Sequence, residues 1–442
     1  MSDEVPPSAQ GQQASRAASD AVCARLRPLE GTGMRTFTDP EPLVWSRTSG
    51  TRIWDEDGRE YLDLYAGFAV AALGYCDPRV TDAIVAQASV MTHSPSAAPT
   101  RLRAELYERL VEIAPPGLTR VLLAITGAMA NEMAVQLARA ATGRQTVISF
   151  SGTYLGRSVG SVSYAGKHAY RAQLGVAADA QFLPYPDPYR SPWAAGADPG
   201  RVVLGLLEQM IEDPASGVGP PACIVVEPIQ GNGGVVIPPP GFLTGLRRLA
   251  DQAGAVLLFD EIQCGFGRSG RMWACEHEGI TPDLMTVGKG IGGGLALAAV
   301  IGTESLLTTW KPDAITSTFM ANSLNIAAGI ATIDAARKDG LAERSARLGA
   351  DALARLHAGL DGCAQVGDLR GRGLFIGIEL VEPGGDEPAP GRAATAVGEL
   401  RSRGIIVGRG GRHDNVIKLS PALVIDESDL HAGLDAVLEV LS

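Results

Sequence analysis

The sequence predicts an α/β protein, in which a large domain is built around a parallel sheet and a smaller domain is of the α+β type. Two continuous apolar runs, "ACIVVEP" (222–228) and "AVLLFDE" (255–261), flank a segment with apolar residues at helical spacing and a terminal glycine, "GFLTGLRRLADQAG" (241–254). A strand, a helix and a second strand in this order, with continuously apolar strands, predict parallel strands that are buried on both faces. From about Ala331 onward the pattern changes to a long helical stretch and then to alternating strand-like runs, which indicates the smaller α+β domain.

The chain of 442 residues is divided accordingly into four segments. Residues 1–30 begin with a polar stretch rich in Pro, Ser and Gln and are predicted to be a disordered arm. Residues 31–95 contain short strand-like runs and are predicted to be the N-terminal part of the small domain. The large, ligand-binding domain is predicted over 96–330, and the C-terminal part of the small domain over 331–442.

The composition excludes several classes of function. The net charge is −11 and there is no block of Lys and Arg, so neither a nucleic acid nor an anionic membrane is an expected partner. No apolar run approaches the roughly 20 residues that a membrane-spanning helix needs. The six cysteines are scattered without a C-x-x-C pair, so we expect no metal site and no disulfide framework. These features, together with an N-terminus that does not resemble a secretory signal, predict a cytoplasmic protein that acts on small molecules.

Polar residues stand where the predicted strands end. Glu227 follows the first apolar strand, Asp260 ends the second, and Gln263 comes three residues later. A third apolar run ends in "DLMTVGKGIGGG", in which Lys289 is surrounded by glycines. Ligands of parallel sheets bind at the carboxyl ends of the strands. Taken singly, however, Asp260 could cap a turn, and Lys289 could be a solvated loop lysine.

The segment "TGAMANEMAVQLARAATG" (126–143) predicts a helix that begins at a short glycine turn. The N-terminus of a helix presents free N–H groups and the positive end of the helix dipole, and both favour a phosphate group. Turns of this kind are common, so the segment predicts a phosphate site only in combination with other features.

The combination matches what pyridoxal phosphate (PLP) requires of a protein. The PLP aldehyde needs an amine with which to form an imine, and its ring nitrogen needs an adjacent carboxylate that keeps it protonated. The phosphate needs a seat, and an aromatic side chain, such as the tyrosine in "FSGTYLGR", can stack on the ring. A lysine, an aspartate, a helix N-terminus and an aromatic residue therefore predict a PLP site.

Four motifs resemble those of class-III aminotransferases of PLP fold type I. In chain order, they read "VVEPIQGNGG", "LLFDEIQCGFGRSG", "DLMTVGKGIGGG" and "STFMAN". The resemblance extends from about Thr36 to the C-terminus and implies a mostly parallel, seven-stranded sheet in the large domain. A further segment, "GFAVAALGYCDPRV", is similar to the ornithine/acetylornithine branch, whereas the departures described below resemble the transaminases of amino-sugar antibiotic biosynthesis.

The resemblance implies three catalytic residues. Lys289 matches the lysine that forms the Schiff base with PLP and shifts a proton between the substrate carbon and the cofactor carbon. Asp260 matches the carboxylate on the ring nitrogen, and Glu227 matches a glutamate that gates the substrate side of the site.

Further residues are implied to bind the cofactor. Gln263 matches the residue near the ring hydroxyl, Tyr154 the stacking aromatic, and Gly127 with Ala128 the phosphate turn. Thr318 matches a threonine that reaches the phosphate from the other subunit, which implies a homodimer with an active site shared across the interface.

The chain departs from the family pattern around the phosphate and the substrate. At position 128 the family usually has a hydroxyl residue, and the alanine found here removes one phosphate ligand. Leu155 stands in the place of a histidine. Lys418 stands where members that act on α-amino acids usually have an arginine, and a lysine cannot form two parallel hydrogen bonds to a carboxylate. We therefore expect Lys418 to bind substrate, with Glu227 as its ion-pair partner in the empty site, and we also place Phe68 in the substrate pocket.

These observations predict a PLP-dependent aminotransferase that moves an amino group from a donor to an oxo acceptor by a ping-pong mechanism. The acceptor is expected to be an oxo sugar or amino sugar rather than a plain α-keto acid. Three alternatives stay open: an epimerase, aminomutase or dehydratase that uses the same imine; an ornithine/acetylornithine-type ω-aminotransferase; and a non-catalytic PLP-binding regulatory domain. A requirement for an added keto acid would distinguish transamination from the other PLP reactions.

Overall fold

The structure, a computed structural model, describes residues 16–37, 41–194 and 196–442. Half of the predicted disordered arm, residues 1–15, lies outside the described residues. The other half contains a helix, Ala17–Leu26, so the prediction of disorder is wrong there. The carboxylate of Asp57 accepts hydrogen bonds from the N–H groups of Ala18 and Ser19 (2.9 and 3.1 Å) and thereby caps this helix from a distant part of the chain.

The described residues contain fourteen helical segments. In chain order, they are α1 Ala17–Leu26, α2 Ala66–Ala69, α3 Pro78–Ala88, α4 Arg101–Ile113, α5 Gly127–Thr142, α6 Val159–Ser163, α7 His168–Leu174, α8 Pro199–Glu212, α9 Phe242–Ala253, α10 Glu304–Leu307, α11 Ser323–Lys338, α12 Leu341–Leu360, α13 Pro390–Ser402 and α14 Glu427–Leu441. The single turn α2 is left-handed, because all four of its residues have positive φ. Two 3₁₀ helices are also present, Ala274–His277 and Lys289–Gly292.

Fifteen strands form three sheets within the described part of the chain. They are β1 Trp45–Ser49, β2 Arg52–Asp55, β3 Glu60–Asp63, β4 Arg120–Ala124, β5 Thr146–Phe150, β6 Gln181–Leu183, β7 Pro221–Val226, β8 Val256–Asp260, β9 Leu284–Val287, β10 Ala298–Gly302, β11 Val366–Arg372, β12 Phe375–Leu380, β13 Ile405–Ile406, β14 Gly408–Gly410 and β15 Val416–Leu419.

The central sheet has seven strands in the order β4-β10-β9-β8-β7-β5-β6. The neighbouring pairs from β9 to β6 are parallel, and β10 alone runs antiparallel to both of its neighbours. The predicted fold class, a mostly parallel seven-stranded sheet with helices, is confirmed. The two predicted strands are β7 and β8, which pair in parallel with every residue buried, and the helix between them is α9.

Two four-stranded sheets lie outside the large sheet. One is the antiparallel sheet β11-β12-β15-β14 from the C-terminal part of the chain. The other combines the N-terminal strands β1, β2 and β3 with the C-terminal strand β13, which pairs with β3 in parallel. The N-terminal strands and the C-terminal region thus share one sheet. The segment limits 31–95, 96–330 and 331–442 stay a prediction.

None of the helices that the structure describes is both long enough and apolar enough to cross a membrane.

Candidate active site

Three adjacent strands of the central sheet bring the predicted catalytic residues to one edge. Glu227 follows β7, Asp260 is the last residue of β8, and Lys289 comes two residues after β9. The three strands are parallel neighbours, so their carboxyl ends lie side by side. Strands β7 and β8 are apolar up to their ends, and β9 is apolar except for Thr286, so the charged side chains appear at this edge.

A cavity of about 260 Å³ lies at this edge. Seven predicted site residues line it: Gly127, Ala128, Tyr154, Glu227, Asp260, Gln263 and Lys289. Six further residues complete the wall: Thr126, Asn131, Leu155, Gly156, Arg157 and Ile262. The structure therefore brings together around one space most of the residues that the sequence motifs single out.

Lys289 begins a 3₁₀ helix with φ of 45°, in the left-handed region. Its amine makes no hydrogen bond or ion pair with any residue that the structure describes. Burial lowers the pKa of this amine, and the negative charges of Asp260 and Glu227 oppose that effect. Among the glycines that follow, Gly293 has φ of 57°, and a Cβ on it would lie 2.4 Å from Oγ1 of Thr332. This glycine is thus required by packing against α11 and by its backbone conformation.

Asp260 is 4% exposed, and both oxygens of its carboxylate accept hydrogen bonds from protein groups. Its Oδ1 accepts from the N–H of Ile262 (2.9 Å), and its Oδ2 accepts from Nδ2 of Asn131 (2.8 Å). Burial raises the pKa of the carboxyl group, whereas these donors and the charge of Lys289 lower it. A buried carboxylate in this situation is stabilised further by a cationic group in the cavity.

Asn131 is a site residue to which sequence reasoning assigned no role. Its amide donates to Asp260 and to the carbonyl oxygen of Leu155 (3.0 Å), and its own Oδ1 accepts from Oγ1 of Thr286 (2.8 Å). Because the Thr286 hydroxyl fills the oxygen, the nitrogen must face Asp260. The signal available in the sequence was one polar residue among the apolar positions that share a helical face of α5.

Glu227 is also buried, and backbone N–H groups occupy both of its oxygens. Oε1 accepts from Tyr154 (2.8 Å) and Oε2 from Gly231 (3.0 Å). Burial and the negative charge of Asp260 raise the pKa of Glu227 to about 8. The expected ion pair with Lys418 is wrong for this structure, in which no Glu227 oxygen lies within 4.0 Å of the Lys418 nitrogen. The reason is that the backbone N–H groups of Tyr154 and Gly231 hold the two Glu227 oxygens.

Lys418 lies on β15 and is 2% exposed. Its nitrogen is 5.4 Å from the centre of the Tyr65 ring, and a Cβ on Gly410 would lie only 3.0 Å from it. No described residue accepts a hydrogen bond from this ammonium group. Burial lowers the pKa of Lys418 to about 8, because removal from water disfavours the charged form.

The N-terminus of α5 borders the cavity. Oγ1 of Thr126 accepts from the N–H of Met129 (3.2 Å) and caps the helix. The N–H groups of Gly127 and Ala128 make no hydrogen bond with the described residues, so they are free for a ligand. Two free amides at the positive end of a 16-residue helix form a seat for an anion such as phosphate.

Comparison with known proteins shows the family of the chain. The family model described as aminotransferase class-III matches residues 35–441. The chain belongs to the class-III aminotransferases. It is a PLP-dependent aminotransferase by family, and its similarity to acetylornithine-type enzymes supports the ornithine/acetylornithine-like branch.

Three known proteins are examples of those to which the chain is similar. The acetylornithine aminotransferase of Methanothermobacter thermautotrophicus is 36% identical over 92% of this chain and 96% of its own length. The leucine/methionine racemase of Thermococcus litoralis is 33% identical, and the match covers 89% of each chain. The crystal structure of the taurine:2-oxoglutarate aminotransferase of Bifidobacterium kashiwanohense, in complex with PLP and glutamate, has a TM-score of 0.88 and 25% identity over 96% of this chain and 97% of that one.

Class-III aminotransferases use PLP, and the cavity of this aminotransferase fits that cofactor in three respects. Lys289 offers an amine without a protein partner, and Asp260 offers a buried carboxylate that lacks a cationic partner at hydrogen-bond distance. The α5 N-terminus offers the two free N–H groups of Gly127 and Ala128. The amine, the carboxylate and the pair of N–H groups each match one part of the cofactor: its aldehyde, its ring nitrogen and its phosphate.

Three predicted residues do not line this cavity. Lys418 lies beyond it on the small-domain sheet, and Thr318 is exposed on the loop before α11. Phe68 is 55% exposed with φ of 67°, and it lines a second cavity of about 950 Å³ together with Tyr65 and Trp45. Their roles in the aminotransferase stay predictions.

Proposed function

We propose that this chain is an ω-type aminotransferase of the acetylornithine-like branch. It transfers the terminal amino group of a primary amine donor to an oxo acceptor in two half-reactions of a ping-pong cycle. The observation that carries the proposal is the convergence of a partner-free Lys289, a buried Asp260 and a buried Glu227 on one cavity. The identity of 36% to an acetylornithine aminotransferase over nearly the whole chain supports this choice of branch.

In this proposal each residue has a defined task. When bound, PLP withdraws electrons and thereby acidifies the carbon that carries the donor amine. Lys289 removes the proton from that carbon, and its lowered pKa favours the neutral amine that such a base requires. Asp260 holds a negative charge beside the ring nitrogen, and the hydrogen bond from Asn131 fixes the direction of that carboxylate. Glu227 holds the backbone of Tyr154, whose ring is proposed to stack on the cofactor.

A second candidate is an aminotransferase whose acceptor is an oxo sugar or amino sugar. The observation in its favour is Lys418, since a lysine cannot form the two parallel hydrogen bonds that an arginine offers to an α-carboxylate. Under this candidate, the Lys418 ammonium binds a hydroxyl or carbonyl oxygen of the acceptor.

The test is to mix the PLP-loaded enzyme with a panel of amines and to follow the loss of the cofactor's absorbance. Transamination requires an added oxo acceptor for turnover, and 2-oxoglutarate and an oxo sugar are compared as acceptors. Racemisation or elimination without any acceptor would contradict the proposal, and similarity to a racemase makes this arm necessary. Lys289→Ala serves as the control, since it removes the proposed base while leaving the cavity in place.

We further propose a homodimer that shares its active sites and works in the cytoplasm. Thr318 is exposed, and its neighbour Phe319 is 57% exposed with its ring 5.5 Å from that of His93. An exposed large aromatic beside a residue predicted to serve the other subunit supports an interface at this loop. The six cysteines are all free thiols, which supports a reducing compartment.

A further inference from the structure

Tyr170, on the short helix α7, lies beside the cavity and touches two of its wall residues. Its ring is perpendicular to that of Tyr154, with the centres 5.7 Å apart. The Arg157 guanidinium lies over the Tyr170 ring, 4.0 Å from its centre. The edge-to-face contact and the cation–π contact together hold the Tyr170 ring in one orientation.

The Tyr170 hydroxyl is held from one side only. Its oxygen accepts a hydrogen bond from Nδ2 of Asn232 (3.0 Å). No residue in the described part of the chain accepts the hydroxyl hydrogen. The O–H group of this partly buried tyrosine can therefore still donate one hydrogen bond to a ligand.

Asn232 also connects Tyr170 with Lys418. Its carbonyl oxygen accepts from the N–H of Gly411 (3.1 Å), so its loop is fixed to the small-domain sheet. A Cβ placed on Gly410 would lie 3.0 Å from the Lys418 nitrogen and 3.4 Å from the Asn232 carbonyl oxygen. The ammonium group and the Asn232 backbone therefore border the same small space, while the Asn232 side chain reaches Tyr170.

Two donors without acceptors are thus found on either side of Asn232: the Lys418 ammonium and the Tyr170 hydroxyl. A ligand oxygen could accept a hydrogen bond from each of these two donors. The nearby charges favour an anionic ligand. Arg157 covers the Tyr170 ring, and Lys167 lies 5.5 Å from the ring centre, with Asp414 as its counter-ion at 3.5 Å.

We propose that Tyr170 is a specificity-determining residue, whose hydroxyl hydrogen acts together with the Lys418 ammonium to bind a carboxylate of the substrate. This inference rests on the proposed aminotransferase function and names one feature of its substrates. It also explains how a lysine can serve at position 418, because the second hydrogen bond to the carboxylate comes from the tyrosine.

Equilibrium binding tests the proposal without any turnover. Succinate is titrated into the PLP-loaded enzyme by calorimetry, with the wild type, Tyr170→Phe and Lys418→Met compared. Tyr170→Phe keeps the ring and its contact with Arg157 and loses only the hydroxyl, so we expect about tenfold weaker binding, as for the loss of one hydrogen bond to a charged group. Lys418→Met should weaken binding at least as much. The matched control is Tyr107→Phe on α4, outside both cavities, which should bind succinate as the wild type does.

Kinetics provide the second arm. Tyr170→Phe should lower kcat/KM for 4-aminobutyrate about tenfold, mainly through KM, and should change that for 1-aminobutane less than twofold. Equal losses for both amines, an unchanged succinate affinity in Tyr170→Phe, or no succinate binding by the wild type would each overturn the proposal. If no amine is transaminated while succinate binding still depends on Tyr170, the aminotransferase proposal fails and the role of Tyr170 stands.

Discussion

At the scale of single residues, the site contains buried charges in two different situations. The Asp260 carboxylate is surrounded by donors from Ile262 and Asn131, whereas the Lys418 ammonium has no acceptor among the described residues. A buried polar group that is fully paired contributes to stability, and one that is unpaired reduces it. Removal of a donor to Asp260 should therefore lower the stability of the fold, whereas removal of the Lys418 charge should raise it.

The first prediction concerns Asn131→Leu. The change removes the donor to Asp260 and leaves the hydroxyl of Thr286 without its acceptor, so we expect the free energy of unfolding to fall by about 1–3 kcal/mol. Urea denaturation of the PLP-free protein measures this, and PLP affinity should fall in parallel. Ala140→Leu, at an exposed position of the same helix, is the control and should change stability by no more than about 0.5 kcal/mol. Equal effects of the two substitutions would contradict the positioning role of Asn131.

The second prediction concerns Lys418→Met at two pH values. Burial lowers the pKa of Lys418 from 10.5 to about 8, so below pH 8 the folded protein must hold a buried charge that the unfolded chain keeps in water. The wild type therefore gains stability as the pH rises from about 8 to 10.5. At pH 7 the Met variant should be the more stable by about 2–3 kcal/mol, since one pKa unit corresponds to about 1.36 kcal/mol.

The stability advantage of Lys418→Met over the wild type should be smaller in the same unfolding experiment at pH 10, where the wild-type amine is already neutral in the folded state. Lys311→Met, at an exposed position, provides the control and should show no such pH dependence. A Met variant that is less stable than the wild type at pH 7 would show that Lys418 is not an uncompensated buried charge.

At the scale of secondary structure, the N-terminus of α5 and the ends of β7, β8 and β9 form the two halves of the site. The helix supplies N–H groups and a dipole, and the strands supply side chains. Asn131 is the side-chain link between these halves, because it projects from α5 and binds Asp260 at the end of β8 and Thr286 in β9. The phosphate seat and the acid–base residues are therefore held in one frame.

The third prediction concerns the helix N-terminus. Ala128→Ser restores a hydroxyl beside the free N–H groups, and we expect PLP to bind about 3–10-fold more tightly, as for one added hydrogen bond. The measurement is the PLP dissociation constant, obtained from the absorbance of the bound cofactor. Ala141→Ser, at an exposed position of the same helix, should leave it unchanged. If Ala128→Ser weakens binding, the phosphate does not sit at this turn.

At the scale of the whole molecule, the C-terminal sheet β11-β12-β15-β14 contacts the loop that follows Glu227. Strand β15 carries Lys418, and the N–H of Gly411 binds the loop that contains Asn232. Arg370 of β11 donates to the carbonyl oxygen of Gly234 in the same loop, at 3.0 and 2.7 Å. The loop after Glu227 is thus shared between the central sheet and the small domain, and a change in one will reach the other.

The fourth prediction concerns the proposed dimer. Light scattering should give twice the chain mass of 46.0 kDa. Thr318→Ala should weaken PLP binding several-fold, because the threonine is proposed to contact the phosphate held by the other subunit. Thr316→Ala, in the same exposed loop, should leave PLP binding unaffected. A monomeric protein with full PLP affinity would contradict the shared site.

Local sequence patterns were sufficient for the parallel strands β7 and β8, the helix α9 and the grouping of Lys289, Asp260 and Glu227. The reason is that apolar runs of this kind predict parallel strands, and parallel strands place their carboxyl ends at one edge. The motif order then supplied the family, which is confirmed by the match over residues 35–441.

Only the tertiary structure decided which side chains complete the site. Asn131 meets Asp260 across 129 positions of the chain and Thr286 across 155 positions, and no local pattern records such distances. The cap that Asp57 forms on α1 and the separation of Lys418 from Glu227 likewise depend on contacts between distant parts of the chain. Hydrogen bonds between distant segments depend on how the sheets and helices pack, whereas periodicity reports only on neighbours along the chain.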